Sequence, residues 1–283
     1  MSSVRQVRKI VTGHATVDGA GVHLVRVLGR DDTQDFDPFL MLDAFDSTNP
    51  DDYVKGFPWH PHRGIETITY LISGRIEHGD SLGNKGVIED GECQWMTAGS
   101  GIIHQEMPKP SERMLGVQLW LNMPAAHKMG EPKYNGITQA QIPAVREEGA
   151  EVRVISGTYK DTAGATQGDY VQPLYLDVAL QPGAVWQADT DAEGMLFIYI
   201  LAGAGMFGPE PGEKVALKHA VLFGDGDGFR AAAGEEGLRF LLLCGRPLRE
   251  PIAWGGPIVM NTPDELRLAF WELEDGTFIK HKA

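Results

Sequence analysis

A chain of 283 residues has room for two domains of ~150 residues each, or for one large β domain. Its 42% hydrophobic and 23% charged residues are those of a folded globular protein, which excludes a disordered chain, a collagen and a coiled coil. Twenty-five Lys and Arg against 39 Asp and Glu give a net charge of −14, so the chain as a whole repels a phosphate backbone and bare nucleic acid is not an expected partner.

The first residues, MSSVRQVRKIVTG, carry a small basic cluster (Arg5, Arg8, Lys9) and lack the apolar core of a signal peptide. Three charges fit a solvated strand edge better than a nucleic-acid patch. Period-2 alternation predicts strands at Val22–Leu28, around Glu66–Ile72, at Glu151–Ile155 and at Val215–Leu222, with Gly, Pro or Asp-Gly turns between them. The longest apolar run, Met195–Phe207, is interrupted by Gly203 and Gly205 and is shorter than the ~20 residues of a spanning helix, so no membrane is expected. Cys93 and Cys244 form no CxxC pair, which excludes a disulfide framework and fits a reducing compartment; a cytoplasmic protein is expected. One helix stands out. Thr262 can cap it, Pro263 suits its first position, Glu265 completes a capping box, and it is expected to run to about Glu274 and stop at Gly276.

The chain also aligns with itself. Trp59–Ile76 matches Gln187–Met206 at an offset of 129, with Tyr70 on Tyr199 and Gly74 on Gly203; Thr97–Gly101 matches Leu222–Gly226 at an offset of 125. This suggests two copies of one β unit joined through the Pro-, Gly- and charge-rich stretch Pro124–Gly149, although the match is short and glycine-weighted and two unrelated β-rich segments can align as well by chance.

His60-Pro61-His62 is the sharpest local signal. On an extended chain residues i and i+2 point to one face, about 6.5–7 Å apart, so two imidazoles can converge on one ion. His104-Gln105-Glu106 repeats the spacing; on a neighbouring strand it would complete a set of three histidines and one carboxylate with room for substrate or dioxygen. A lone HxH is more often a pair of hydrogen-bonded histidines than a ligand pair. The other six histidines, His14, His23, His78, His127, His219 and His281, have no ligand-spaced neighbour.

The context resolves that ambiguity. HxH followed by Glu66 and Gly74, then by a Gly-rich turn (Gly91, Gly99, Gly101) and a second ligand cluster, resembles the two-part pattern of the cupin superfamily. More narrowly, GFPWHPHRGIETITYLISG (56–74) with QWMTAGSGIIHQEMP (94–108) resembles the pirin family, as do FDPFLMLDAF (36–45) and the C-terminal helix. The resemblance implies an all-β bicupin, two tandem β-barrels with a C-terminal helix, divided here as 1–130 with the metal and 131–283 without it. It implies His60, His62, His104 and Glu106 as ligands of one divalent metal, iron(II) first, with Mn, Co, Ni, Cu or Zn as alternatives. Glu66, a ligand in many other cupins, is expected behind the ligands, or as a strand residue with a surface partner, rather than on the metal, and Thr97 stands where the general pattern has proline.

The offsets place Asp189, Asp191, Phe229 and Ala231 where the first half has its ligands, a poor transition-metal set, so one metal per chain is expected. The resemblance further implies quercetin 2,3-dioxygenase-like cleavage of a flavonol or related chelating substrate with O2, Glu106 acting as both ligand and base. The alternative it implies is a non-enzymatic, iron-binding, redox-responsive regulator working through protein contacts, nuclear in a eukaryote. Phe57, Trp59, Met96 and Met123 are candidates for an apolar mouth above the metal and Arg63 for attracting an anionic substrate; core packing and a surface salt bridge are the commoner roles of such residues. Cys93 is read as a buried, inert thiol, with oxidation sensing as the other possibility.

Overall fold

The computed structural model describes residues 3–281. The all-β expectation holds, and the strands assemble into two compact units. No helix among the described residues is long and apolar enough to cross a membrane.

The unit with the histidine motifs comprises residues 14–33, 38–139 and 248–283. Its larger sheet has seven antiparallel strands in the order Lys133–Ile137, Cys93–Thr97, Ile65–Ser73, Met114–Asn122, Phe39–Ser47, Val22–Leu28, His14–Asp18. The smaller has four, in the order Phe57–His62, Ile102–Pro108, Ile76–Asp80, Lys85–Ile88. Val22, Leu24, Phe45, Leu71 and Met114 of the first sheet pack with Ile76 and Ile88 of the second, so the apolar faces predicted by alternation meet between the sheets.

The other unit comprises residues 1–13, 140–247 and the short segment 34–37. Its nine-stranded sheet is built on two long strands, Met195–Phe207 and Gly228–Gly245. Val7–Thr12 pairs with His219–Phe223 at one edge, so the basic N-terminal cluster does lie on and beside a strand edge. There Arg8 and Lys9 pair with Asp35, while Arg5 is buried and donates to the carbonyls of Asp191, Gly194 and Gly224. The chain therefore divides near residue 140 rather than 130, the first strand belongs with the second half, and the C-terminal helix belongs with the first. Sequence order could not show this, because both terminal segments join units distant from them along the chain. The predicted strand Val215–Leu222 is interrupted: Glu213–Ala216 and His219–Phe223 both pair with Met195–Phe207 and are separated at Lys218, whose φ of 65° breaks the extended run.

The internal repeat is topological. Ile65–Ser73 lies between Cys93–Thr97 and Met114–Asn122 as Met195–Phe207 lies between His219–Phe223 and Gly228–Gly245. Tyr70 stands opposite Cys93 and Tyr199 opposite Ala220, the 125-offset equivalent of Trp95; a slip of two residues keeps every side chain on its face.

The helix is Pro263–Glu274. Thr262 Oγ1 accepts the Glu265 N–H at 3.2 Å, Glu265 Oε2 accepts the Thr262 N–H at 2.9 Å, and Gly276 follows the C-cap in the left-handed region.

Candidate metal centre

Phe57–His62 is the edge strand of the smaller sheet, which is why it tolerates Pro58 and Pro61: neither can donate to a second neighbour. On its one paired side it runs against Ile102–Pro108, with His60 opposite His104 and His62 opposite Ile102. Ile102, His104, Glu106 and Pro108 are buried while the residues between them are half-buried, the signature of a strand with one inward face. The two i,i+2 motifs thus meet across one strand pair.

The rings of His60, His62 and His104 lie 4.4 to 5.0 Å apart between centroids, and one nitrogen of each falls within 4.8 Å of the others. Their tautomers follow from their outer partners. His60 Nδ1 is 2.8 Å from the Pro58 carbonyl and His62 Nδ1 is 3.0 Å from the Pro257 carbonyl. A carbonyl oxygen only accepts, so both Nδ1 atoms carry the proton and both Nε2 atoms present lone pairs, facing each other at 3.1 Å. Burial, and then the neighbouring His60, lowers the His62 pKa to about 3, so His62 itself takes up no second proton near neutral pH. His104, 1% exposed, is held well below the ordinary histidine value by burial and by the other histidines, and neither of its ring nitrogens has a hydrogen-bond partner. Lone pairs converging on one point and an orphaned buried imidazole fit a divalent cation.

These pKa shifts set an acid limit. The unfolded chain binds protons at histidine near pH 6.5, whereas folded His62 resists them until about 3, so the unfolded state gains protons over the folded one as pH falls through that window. The Tm of the metal-free protein is expected to fall progressively from pH 6.5 toward 3, and to fall less in a His62→Gln variant; equal slopes would remove His62 as the cause.

Glu106 lies on the same inward face but outside the close histidine group. Its Oε1 accepts from Thr69 Oγ1 at 3.0 Å and its Oε2 from Gln118 Nε2 at 2.7 Å. Glu66 accepts from Thr97 Oγ1 at 2.7 Å and does not join the cluster either. Cys93 is buried and its thiol is pushed up by desolvation, the environment of an inert thiol.

His60 and His62 open onto a cavity of about 630 Å³ whose wall includes Phe57, Trp59, Trp120, Trp254, Met41 and Gln118. Of the four residues proposed for the mouth, Phe57 and Trp59 are in that wall and Met96 and Met123 are not. Met96 is fully buried with Ile65 and Trp120 on a strand buried at every position, and Met123, just past the strand Met114–Asn122, is fully buried as well. Arg63 is 1% exposed and pairs with Glu272 at 2.7 Å, so it attracts no substrate. Trp120 and Gln118, missed in the sequence, share a strand face at i,i+2 in VQLWLN; Trp254 and Pro257 left no local signal, since they arrive from the C-terminal segment.

In the other unit the corresponding strand pair has Ala188 opposite Phe229 and Trp186 opposite Ala231. Asp189 and Asp191 are exposed, one position out of the expected register, and Asp191 is tied to Arg246. Phe207, Phe229, Phe240 and Trp186 pack against one another in edge-to-face and tilted pairs in the interior, leaving apolar surface where imidazoles would be needed.

Paired β units with a histidine cluster in the first define a bicupin. Residues 21–121 match the pirin family and residues 175–279 its C-terminal cupin domain. A pirin-like protein of Caulobacter vibrioides is 46% identical, covering 97% of this chain and 99% of its own length; human pirin is 36% identical, covering 97% and 94%. The crystal structure of quercetin 2,3-dioxygenase from Acinetobacter baumannii superposes with a TM-score of 0.89 at 32% identity, over 98% of this chain and 99% of that one. The chain belongs to the pirin family.

Proposed function

We propose that the protein is a metal-dependent dioxygenase of quercetin 2,3-dioxygenase type, opening the heterocyclic ring of a flavonol or related chelating substrate with O2. The observation that carries this is the convergent histidine trio beside an aromatic-walled cavity whose volume falls within the ~300–1,000 Å³ of small-molecule sites. Kinship with the Acinetobacter enzyme supports it.

In this reading His60, His62, His104 and Glu106 hold one divalent metal per chain, iron(II) being the family's expectation. When bound, the metal supplies Lewis-acid chemistry that lowers the pKa of a chelating hydroxyl and open positions that suit dioxygen. The chain's own residues do the rest. Phe57, Trp120 and Trp254 flank a planar ring system and exclude water from it. Glu106 accepts the substrate hydroxyl proton at a carboxylate oxygen once that oxygen gives up its bond to Thr69 or Gln118. Gln118, in the cavity wall and bonded to Glu106, orients the carboxylate toward that proton. Dioxygen adds one atom to each of the two carbons flanking C3 of the deprotonated flavonol, both bonds to C3 break, and C3 leaves as carbon monoxide.

Flavonol absorbance is expected to decay in air in the presence of the metal-loaded protein, with stoichiometric carbon monoxide. Bound metal with no turnover of any chelating flavonol would favour the regulator. Replacing Asp189 and Asp191 together by Asn is expected to leave metal content at one per chain; a fall from two to one would overturn the assignment of a metal-free second unit.

A further inference from the structure

The segment 254–260 is remote from the ligands in sequence, yet it closes directly on them. The Val259 N–H donates to the Arg63 carbonyl at 3.1 Å, and Ile258 pairs in parallel with Arg63. Just before them, Pro257 supplies the carbonyl that takes the His62 Nδ1 proton, and Trp254 stands in the cavity wall. Two glycines beside the ligand motifs admit this approach. A Cβ on Gly64, at φ +75°, would lie 2.0 Å from the Val259 carbonyl oxygen, and one on Gly101, at φ +139°, would lie 2.9 Å from the Phe278 carbonyl oxygen.

Two buried basic side chains that the proposed reaction does not use anchor the segment, Lys128 directly and Arg63 through the helix and tail that follow it. Arg63 pairs through Nη1 with Glu272, donates from Nη2 to the Phe278 carbonyl at 2.9 Å, and lies 4.2 Å from the centre of the Phe278 ring. Lys128, 1% exposed, has all three ammonium donors engaged: the Gly64 carbonyl at 2.7 Å, Asn122 Oδ1 at 2.6 Å and the Val259 carbonyl at 3.0 Å. Lys128 thus ties the turn after His62 to the strand after Pro257, and Arg63 ties the same turn to the helix and the tail beyond it.

We infer that residues 254–260 are a working part of the metal centre and that Arg63 and Lys128 are positioning residues, latching the Pro257 carbonyl against His62. The latch keeps the proton on Nδ1 and aims the Nε2 lone pair at the point shared with His60 and His104. This rests on the reading of the three histidines as metal ligands. Outer partners that fix a ligand's tautomer typically change metal affinity by about 10- to 100-fold.

The test uses full-length protein loaded with Zn(II). Its dissociation constant is measured against a chromophoric chelator at a temperature where near-ultraviolet circular dichroism shows each variant folded. Arg63→Met and Lys128→Met are expected to weaken zinc binding about 10- to 100-fold. Ile88→Ala, which opens a hole in the core between the sheets, is expected to lower Tm and leave zinc affinity unchanged. Arg63→Lys, which keeps a cation for Glu272 and loses the planar stack, replaces Arg63→Met if the latter does not fold. In the metal-free protein, imidazole 15N shifts are expected to show one His62 tautomer, protonated at Nδ1, and a mixture in the latch variants. Wild-type zinc affinity and a single tautomer in the folded latch variants would overturn the inference, as would equal weakening by Ile88→Ala. A wild-type protein that binds no metal would instead sink the ligand reading, and the tautomer measurement would still decide the latch.

Discussion

His62→Ala is expected to lose metal and flavonol turnover together. The variant removes one of three converging nitrogens, so metal affinity should fall by more than the ~100-fold that loss of an outer partner costs. The remaining pair cannot compensate. His60 keeps its ring oriented by the Pro58 carbonyl, but its Nε2 loses the neighbour 3.1 Å away, and the Pro257 carbonyl loses the imidazole proton it accepted. Metal content after dialysis and flavonol decay in air check both parts. Unchanged metal content in the variant would remove His62 from the ligand set.

Glu106→Gln should separate proton transfer from metal retention. With three imidazoles in place the metal is expected to stay, while turnover falls by about 10²- to 10⁴-fold, the usual worth of a positioned general base. The substitution also has a local cost. Gln118 donates its amide to Glu106 Oε2 while its own Oε1 accepts from Trp120 Nε1 at 3.3 Å. A Gln side chain at 106 that keeps its oxygen on Thr69 turns an amide toward the Gln118 amide; relieving that clash by flipping Gln118 sacrifices the bond to Trp120. One buried hydrogen bond lost in this way lowers stability by about 1–3 kcal/mol, visible as a lower Tm. Undiminished turnover would remove Glu106 as the base, and loss of metal in step with turnover would reduce its role to that of a ligand.

The same geometry separates what alternation predicts from what it cannot. His60 and His62 share a face because residues i and i+2 of any strand do, and the same holds for His104 and Glu106; only the pairing of the two strands had to be supplied. Asp189 and Asp191 show the limit of that logic. The repeat alignment put them at the ligand positions, but a one-residue difference in register on that strand turned them to solvent and turned Trp186 and Ala188 inward. Met96 and Met123 failed as cavity residues for another reason: apolar character does not say whether a side chain lines a cavity or fills the core, and both are fully buried.

The all-β character, the capped helix Pro263–Glu274 and the shared faces of His60 with His62 and of His104 with Glu106 were legible in the sequence, because strand alternation and capping are set within a few residues of backbone. The tertiary structure alone decided that Arg63 turns inward to Glu272, that Pro257 orients His62, and that Trp254 walls the cavity. Each of these depends on the C-terminal segment folding back onto the first histidine motif, and long-range contacts of that kind leave no period or spacing in the local sequence.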